Sequence, residues 1–371
     1  MKILVVSLLR LGDLFMQKAL LKSLRQQHPE CEIHFLIHRE FQKIQSFFPE
    51  VRDFHFFERQ EWSQWINQAE VPLFKPLKHL GHLIEELNAL KFDKVWNWTH
   101  QNGSAYLMEL IQAREKVGLQ SQHGQIRLGS SKALRNFNNS FTNLDNCGPH
   151  YIEHLSGIFN LPLPQALRVR ESLHEKKENL ICLQPLSSDA KKNADLEFFR
   201  QWIELHQKDR PQDRILVLGA PQEKFQLESF FSSEIIHIGT LNEVAEILQQ
   251  ADLLISVDTA IKHLAALQGT LILEMAFGSA QPAKTGPWSE KYYFLSPTVS
   301  CWPCSHSRPC TQPTRVCAQQ LRPADLHASI TDLINDQPHP LLKKMKNGNL
   351  TLNSSGGTHG ERNGKLFVTG P

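Results

Sequence analysis

The stretch Asp252–Pro287, DLLISVDTAIKHLAALQGTLILEMAFGSAQPAKTGP, decides the fold. A short apolar run, Leu253 to Val257, stops at Asp258-Thr259, and a helix-like segment runs on to Gln268, where Gly269 ends it. A second apolar run, Leu271 to Met275, opens into a loop carrying Gly278, Pro282, Gly286 and Pro287. Five-residue runs, each apolar but for one residue, on either side of a helix predict two buried parallel strands and their crossover. In open α/β sheets ligands bind beyond the carboxyl ends of strands, so Asp258, Thr259 and the 278–287 loop are expected to face a site. The helix start at 259–261 offers unpaired backbone N–H groups and the positive end of a dipole, which suits a phosphate. Lys262 and His263, one turn in, add charge or hydrogen bonds. The plainer reading, a scaffold unit in which Asp258 caps a helix, has equal standing on spacing alone.

The same alternation runs outward in both directions. Lys2–Ser7 reads as a strand, Leu9-Arg10-Leu11-Gly12-Asp13 as a tight turn, and Leu14–Gln27 as a helix. Glu32–Ile37, residues 53–57, Phe92–Trp98 and Glu115–Leu119 read as strands, with helices at Phe41–Phe48, Leu77–Leu90 and Ser104–Ala113. Residues 59–76, rich in Trp and Gln, read as an irregular excursion, and 120–150 as loops. After a helix over 150–160 the run Leu161-Pro-Leu-Pro164 marks a linker. A second set follows: strands at 180–184, 214–218 and 235–238, and helices at Asp195–Gln207, 222–231 and 241–250. The prediction is two doubly wound α/β domains, 1–165 and 175–335, with a cleft between them and a flexible tail over 336–371.

Composition narrows the class. With 41% apolar and 21% charged residues and a net charge of +2, the chain has no global bias toward nucleic acid. MKILVVSLLRLGD resembles a signal peptide for a few residues only, because Arg10 and Asp13 interrupt it. No run approaches a membrane span, so a cytoplasmic protein is expected.

Four constellations carry candidate chemistry. Asp13, beside a glycine turn at the end of the first strand, can act as a base on a hydroxyl or merely cap a helix. Pro185-Leu-Ser187-Ser188-Asp-Ala-Lys191-Lys192-Asn193 puts hydroxyls and two lysines at a strand end, which suits a phosphate as well as it suits a solvated loop. Glu223, in the loop after the strand at 214–218, can accept from sugar or ribose hydroxyls. Cys301, Cys304, Cys310 and Cys317 suggest a structural zinc, but the outer spacings are short for a two-knuckle site, so redox-active or packed thiols stand beside it. After the first strand stands LLRLGD rather than G-x-G-x-x-G, and no Walker motif or G-x-S-x-G elbow occurs.

Taken in order, Arg10-Leu-Gly-Asp13, Gly219-Ala-x-x-Glu223-Lys224, Ser256-Val-Asp258-Thr259-x-x-x-His263-Leu-Ala-Ala and Phe277-Gly-x-x-x-Pro282-x-x-Thr285-Gly-Pro287 resemble glycosyltransferase family 9, the ADP-heptose:lipopolysaccharide heptosyltransferases. The Cys-x-Pro-Cys…Leu-x-Pro-x-Asp pattern over 301–325 is also common there, and the resemblance runs from residue 1 to about 335. It implies a GT-B fold, with an N-terminal acceptor domain and a C-terminal nucleotide-sugar domain, and inverting transfer without a catalytic metal. Carried over, Asp13 is the base. Ser187, Ser188 and Lys191 or Lys192 hold the donor diphosphate, Glu223 the ribose or donor sugar, and Asp258, Thr259 and His263 flank the phosphate-binding helix start. One departure is Ala260, where the family has glycine. The implied partners are a nucleotide-sugar donor and a lipid-linked glycan acceptor at the inner membrane surface. A non-catalytic nucleotide-sugar-binding protein of the same fold and a GT-B-type sugar-nucleotide epimerase are the rival readings.

Overall fold

The computed structural model describes residues 1–67, 73–128, 131–142, 147–170, 178–346 and 349–351. Two parallel sheets dominate. The first orders its strands β3-β2-β1-β4-β5, with β1 (Lys2–Val6), β2 (Glu32–His38), β3 (Asp53–Phe57), β4 (Phe92–Asn97) and β5 (Ala113–Gly118). A small antiparallel hairpin, β6 (Gln120–Gln122) and β7 (Gln125–Arg127), follows it. The second sheet contains β8 (Leu180–Gln184), β9 (Arg214–Gly219), β10 (Ile236–Ile238), β11 (Leu253–Val257), β12 (Leu271–Met275), β13 (Lys291–Leu295), β14 (Lys343–Lys346) and β15 (Asn349–Thr351). Its order is β10-β9-β8-β11-β12-β13-β14-β15, parallel up to β13 and antiparallel in the last two pairings. In each sheet the strand order reverses beside the first strand, between β1 and β4 and between β8 and β11. Those are the switch points at which such sheets bind ligands.

The central strands are buried on both faces, which is why they read as continuous apolar runs: β1 from Ile3 and β11 throughout are fully enclosed. Each leads into a helix, Leu11–Gln27 after β1 and Ala260–Gln268 after β11. The two helices pack against each other, and one apolar cluster runs from Leu14, Leu20 and Tyr151 to Leu264, Ala265 and Trp288. The first turns come closest. A Cβ on Gly12 would lie 3.0 Å from His263 Cδ2 and 3.3 Å from the Ala260 Cα. The two carboxyl-end switch points therefore face one another, which is the GT-B arrangement.

Several expectations are corrected. The supposed excursion contains a helix, Arg59–Asn67, because Trp62 stacks on Phe57 and meets Trp65 edge-on; residues 68–72 lie outside the described residues. The region read as loops holds the β6–β7 hairpin and a helix, Lys132–Thr142, which among its described side chains, 132–140, buries only Leu134 and Phe137, a stripe too narrow to stand out among Asn and Ser. The first helix starts at Leu11, so Gly12 and Asp13 belong to its first turn. Part of the expected flexible tail extends the second sheet, as β14 and β15 pair beyond β13 and Met345 is fully buried; residues 352–371 lie outside the described residues. The linker after Pro164 runs along the second sheet, with Trp288 Nε1 donating to the Pro164 carbonyl and Arg170 N to that of Gly269. Among the described residues no helix is long and apolar enough to cross a membrane.

Candidate active site

Asp13 stands in the first turn of the Leu11–Gln27 helix and accepts the Arg10 backbone N–H at 3.3 Å. It is half-buried, with no cation in contact among the described residues. Burial therefore dominates and pushes its pKa up to about 6; the Arg10 N–H opposes this, the charge on Asp258 adds to it, and Lys192 opposes it. Behind it, Ser7 Oγ donates to Gln17 Oε1 at 2.6 Å, Gln17 Nε2 to the Tyr151 hydroxyl at 2.7 Å, and that hydroxyl to the Trp98 carbonyl at 3.0 Å. This chain fixes the floor beneath the helix start.

Across from it, Asp258 follows β11 and is held by two ammonium groups. Lys192 Nζ lies 2.7 Å from Oδ2 and Lys262 Nζ 2.6 Å from Oδ1. Burial works to raise the Asp258 pKa, but Lys262 and Lys192 outweigh it and hold the carboxyl far below the usual range. Lys262 is fully buried and reaches a second carboxylate, Glu274 on β12, at 2.8 Å. Burial lowers the Lys262 pKa, yet Asp258 and Glu274 together raise it above its ordinary value. Glu274 is pushed up by burial, and its second oxygen is without a partner among the described residues. The four groups balance formally, two cations against two acids, as a buried set must.

Thr259 is the N-cap of the Ala260–Gln268 helix and spends no side-chain hydrogen bond on it. Ala260 is the first helical residue and does not have positive φ, so its methyl group costs the backbone nothing there. His263, one turn in, is buried beside Gly12; burial, then the charge on Lys262, depresses its pKa well below the ordinary value and keeps it neutral.

The two lysines left open by the sequence part company. They belong to one 3-10 turn, Ala190–Lys192. Lys192 turns inward to Asp258, whereas Lys191 Nζ donates to the carbonyls of Ser305, His306 and Arg308 at 2.8, 3.0 and 2.8 Å. Ser187 is half-buried, with its hydroxyl on the Asp189 carbonyl, and Ser188 is exposed. Glu223 accepts the Ala220 N–H at 2.8 Å, closing its own turn, and stands after β9, next to β8 in the sheet. The 278–287 loop is largely buried, and its Lys284 donates to the Ser140 carbonyl at 2.8 Å, bracing the two halves. His150 does the same through Nε2 to the Gly286 carbonyl at 3.0 Å, while burial pushes its pKa down to about 4.

Cys301, Cys304, Cys310 and Cys317 are all free thiols. Among the described residues no three His, Cys, Asp or Glu side chains form a group placed to hold a metal ion, so the zinc reading gains no support over packed or redox-active thiols. The residues that sequence reasoning passed over are Glu274 and the Gln17–Tyr151 chain. A lone acid inside LILEM, an otherwise apolar central strand, was the available signal for Glu274.

Comparison with known proteins places the chain in a family. The sequence profile described as Glycosyltransferase family 9 (heptosyltransferase) matches residues 80–314. Lipopolysaccharide heptosyltransferase 3 of Escherichia coli is 24% identical over 296 residues, covering 75% of this chain and 84% of that protein. Among solved structures, E. coli heptosyltransferase WaaC with ADP-2-deoxy-2-fluoro heptose superposes with a TM-score of 0.61 at 16% identity, over 90% of this chain and 100% of that one. E. coli ADP-heptose lps heptosyltransferase II gives 0.61 at 15%, over 91% and 99%. At such identities the superpositions speak for the fold. The profile match, spanning more than half of the residues, speaks for descent: the chain belongs to glycosyltransferase family 9 and is a heptosyltransferase-like glycosyltransferase of GT-B fold.

Proposed function

We propose that this enzyme transfers a heptose, or a closely related sugar, from ADP-heptose to the core of lipopolysaccharide, with inversion and without a catalytic metal. The observation that carries the reading is the opposition of Asp13 on one sheet to the Lys192–Asp258 pair on the other. A displacement at the anomeric carbon needs a base on one face of the sugar and a stabilised diphosphate on the other. Asp13, with a pKa of about 6, is ionised at neutral pH yet basic enough to take the acceptor hydroxyl proton as the bond to carbon forms. The departing diphosphate would meet the Lys192 ammonium and the backbone N–H groups of the helix that starts at Ala260. Asp258 aims Lys192, and Lys262 with Glu274 fixes Asp258.

In this proposal the first half, 1–165, binds the acceptor and the second, 175–335, the donor. Ser187, Ser188 and Thr259 lend hydroxyls to the phosphates, Glu223 faces the ribose or donor sugar, and neutral His263 lines the helix start. The acceptor is lipid-linked, so the enzyme works as a peripheral protein at the inner membrane surface. Relatives named for lipopolysaccharide and a superposable structure that carries an ADP-heptose analogue support these identities.

The test is direct. Purified protein is mixed with ADP-heptose and a truncated lipopolysaccharide acceptor, and both ADP release and acceptor mass are followed. Acceptor-dependent ADP release with a heptose added to the acceptor is the expected result. The absence of both ADP release and a mass gain would sink the proposal, and donor conversion without acceptor would point to epimerisation.

A further inference from the structure

The cysteine-rich segment is the one motif the proposed function leaves unused. Its attachments are concentrated on the loop that contains Lys192. Lys191 Nζ donates to three main-chain carbonyls of the segment, Ser305, His306 and Arg308, which exhausts the three donors of an ammonium group. Asp189, 3.9 Å away, shares the charge. From the far end of the segment Arg315 Nη1 donates back to the carbonyls of Ala190, at 3.0 Å, and Asn193. A third tie joins Cys304 N to the Gly278 carbonyl at 2.8 Å. Gly278 has φ +58°, and a Cβ there would run into the Lys191 carbonyl, so this approach requires glycine.

Two of these ties lash a segment with little regular structure to a turn more than a hundred residues away, and the third pins it to the Gly278 loop that meets the same turn. What the seating brings to the site is His306. Its main-chain carbonyl is held by Lys191, the neighbour of Lys192, and its exposed imidazole feels the charges of Lys192, Asp258 and Arg10. The carbonyls of the segment point inward to Lys191, leaving the side chains of 306–308 outermost.

We propose that residues 301–317 form the outer wall of the donor site, that Lys191 is a positioning residue which seats this wall, and that His306 is the side chain the wall presents to the diphosphate of a nucleoside-diphosphate sugar. This rests on the donor-site reading given above. It assigns the two adjacent lysines different tasks: Lys192 acts on the ligand, and Lys191 acts through the segment.

Calorimetric titration of ADP into the full chain separates the cases. His306→Ala should weaken ADP by about 3- to 10-fold, the worth of one hydrogen bond. Lys191→Met should weaken it by at least as much, and the double variant should bind no more than about twofold worse than Lys191→Met alone, because both changes cut the same route. Lys191→Arg, which can still donate to carbonyls, should recover most of the loss. In turnover assays the KM for donor should rise while the KM for acceptor stays put. If Lys191→Met does not fold, Arg315→Met paired with His306→Ala makes the same cycle. Losses that multiply in the double variant would overturn the proposal, since Lys191 would then be touching the nucleotide itself. An unchanged affinity in His306→Ala would overturn it as well. Should the wild-type chain not bind ADP, the donor-site reading itself fails, an outcome distinguishable from either of these.

Discussion

Asp13 and Asp258 occupy matching places in the two sheets, each at the start of the helix that leaves a central strand at its switch point. Their surroundings drive them apart. Asp13 has one backbone N–H and a desolvating wall, so its pKa climbs to about 6. Asp258 has a lysine on each oxygen and stays ionised at any pH the protein meets. A pair of like residues separated in this way fits the proposed division of labour, in which one group exchanges a proton and the other holds charge in place. The topology repeats, but the chemistry follows from the absence of a lysine beside Asp13.

The strongest way to break the comparison is to remove the proton acceptor. Asp13→Asn keeps the shape and should cut turnover by about 10²–10⁴-fold, while calorimetric ADP affinity stays within roughly twofold. The wild-type rate should also fall as the pH drops through about 6, because protonated Asp13 cannot accept. The stability linkage has the opposite sense: the folded protein holds this proton more tightly than the unfolded chain, so this group's contribution to stability falls as the pH rises from about 4 to about 6. A rate that is flat from pH 5 to 8, with chemistry limiting, would remove Asp13 as the base.

Asp258→Asn tests the other member. It leaves Lys192 and the fully buried Lys262 without their shared counter-charge, Glu274 alone remaining for Lys262. Breaking a buried ion pair by deleting one partner costs about 3–5 kcal/mol, and denaturant unfolding should report a loss of that order. Adding Lys262→Met should return part of it, since the orphaned cation is then gone. If the single variant is as stable as the wild type, the network is not the rigid support proposed.

How far the sequence shows this contrast depends on the distance over which each part is decided. β1 and β11 are legible because burial on both faces forces runs such as KILVV and LLISV. Asp13 and Asp258 are legible because strand ends are where polar residues become exposed to a ligand. The choice between Lys191 and Lys192 is not, because it rests on carbonyls near residue 306 that only the folded chain delivers. The Arg59–Asn67 helix escaped for a similar reason: its support is Trp62 on Phe57, not a periodic apolar face of its own. β14, written KKMK, buries Met345 between β13 and β15, a pairing that exists only once β13 is in place. The proposed site is therefore visible in outline from strand ends, and its wiring is not.

Lys192→Met sharpens the comparison from the donor side. It should weaken ADP by roughly tenfold or more, as the loss of a charge-assisted contact to phosphate does, with the Asp13-dependent pH limb unchanged. Parallel titration of Lys191→Met gives the contrast within one turn. A Lys192→Met protein that binds ADP normally would show that the cation serves Asp258 and not the ligand.

The smallest effect is expected at Gly12, where the two switch points come closest. Two terms oppose each other in Gly12→Ala. Alanine in a helical position is worth up to ~1 kcal/mol over glycine, which favours the folded state. The new methyl group, however, would sit 3.0 Å from His263 Cδ2 and 3.3 Å from the Ala260 Cα, closer than ordinary contact. The ring can yield by a few tenths of an ångström, whereas the Ala260 backbone is tied into its helix. Strain of this size is about as large as the propensity gain, so global stability should move by less than ~1 kcal/mol. The strain falls on the contact between the halves and should reach the reaction by spreading Asp13 from Lys192. Turnover should therefore drop a few-fold at unchanged melting temperature. A variant equally stable and equally active would mean that the spacing of the two aspartates is not set at this contact.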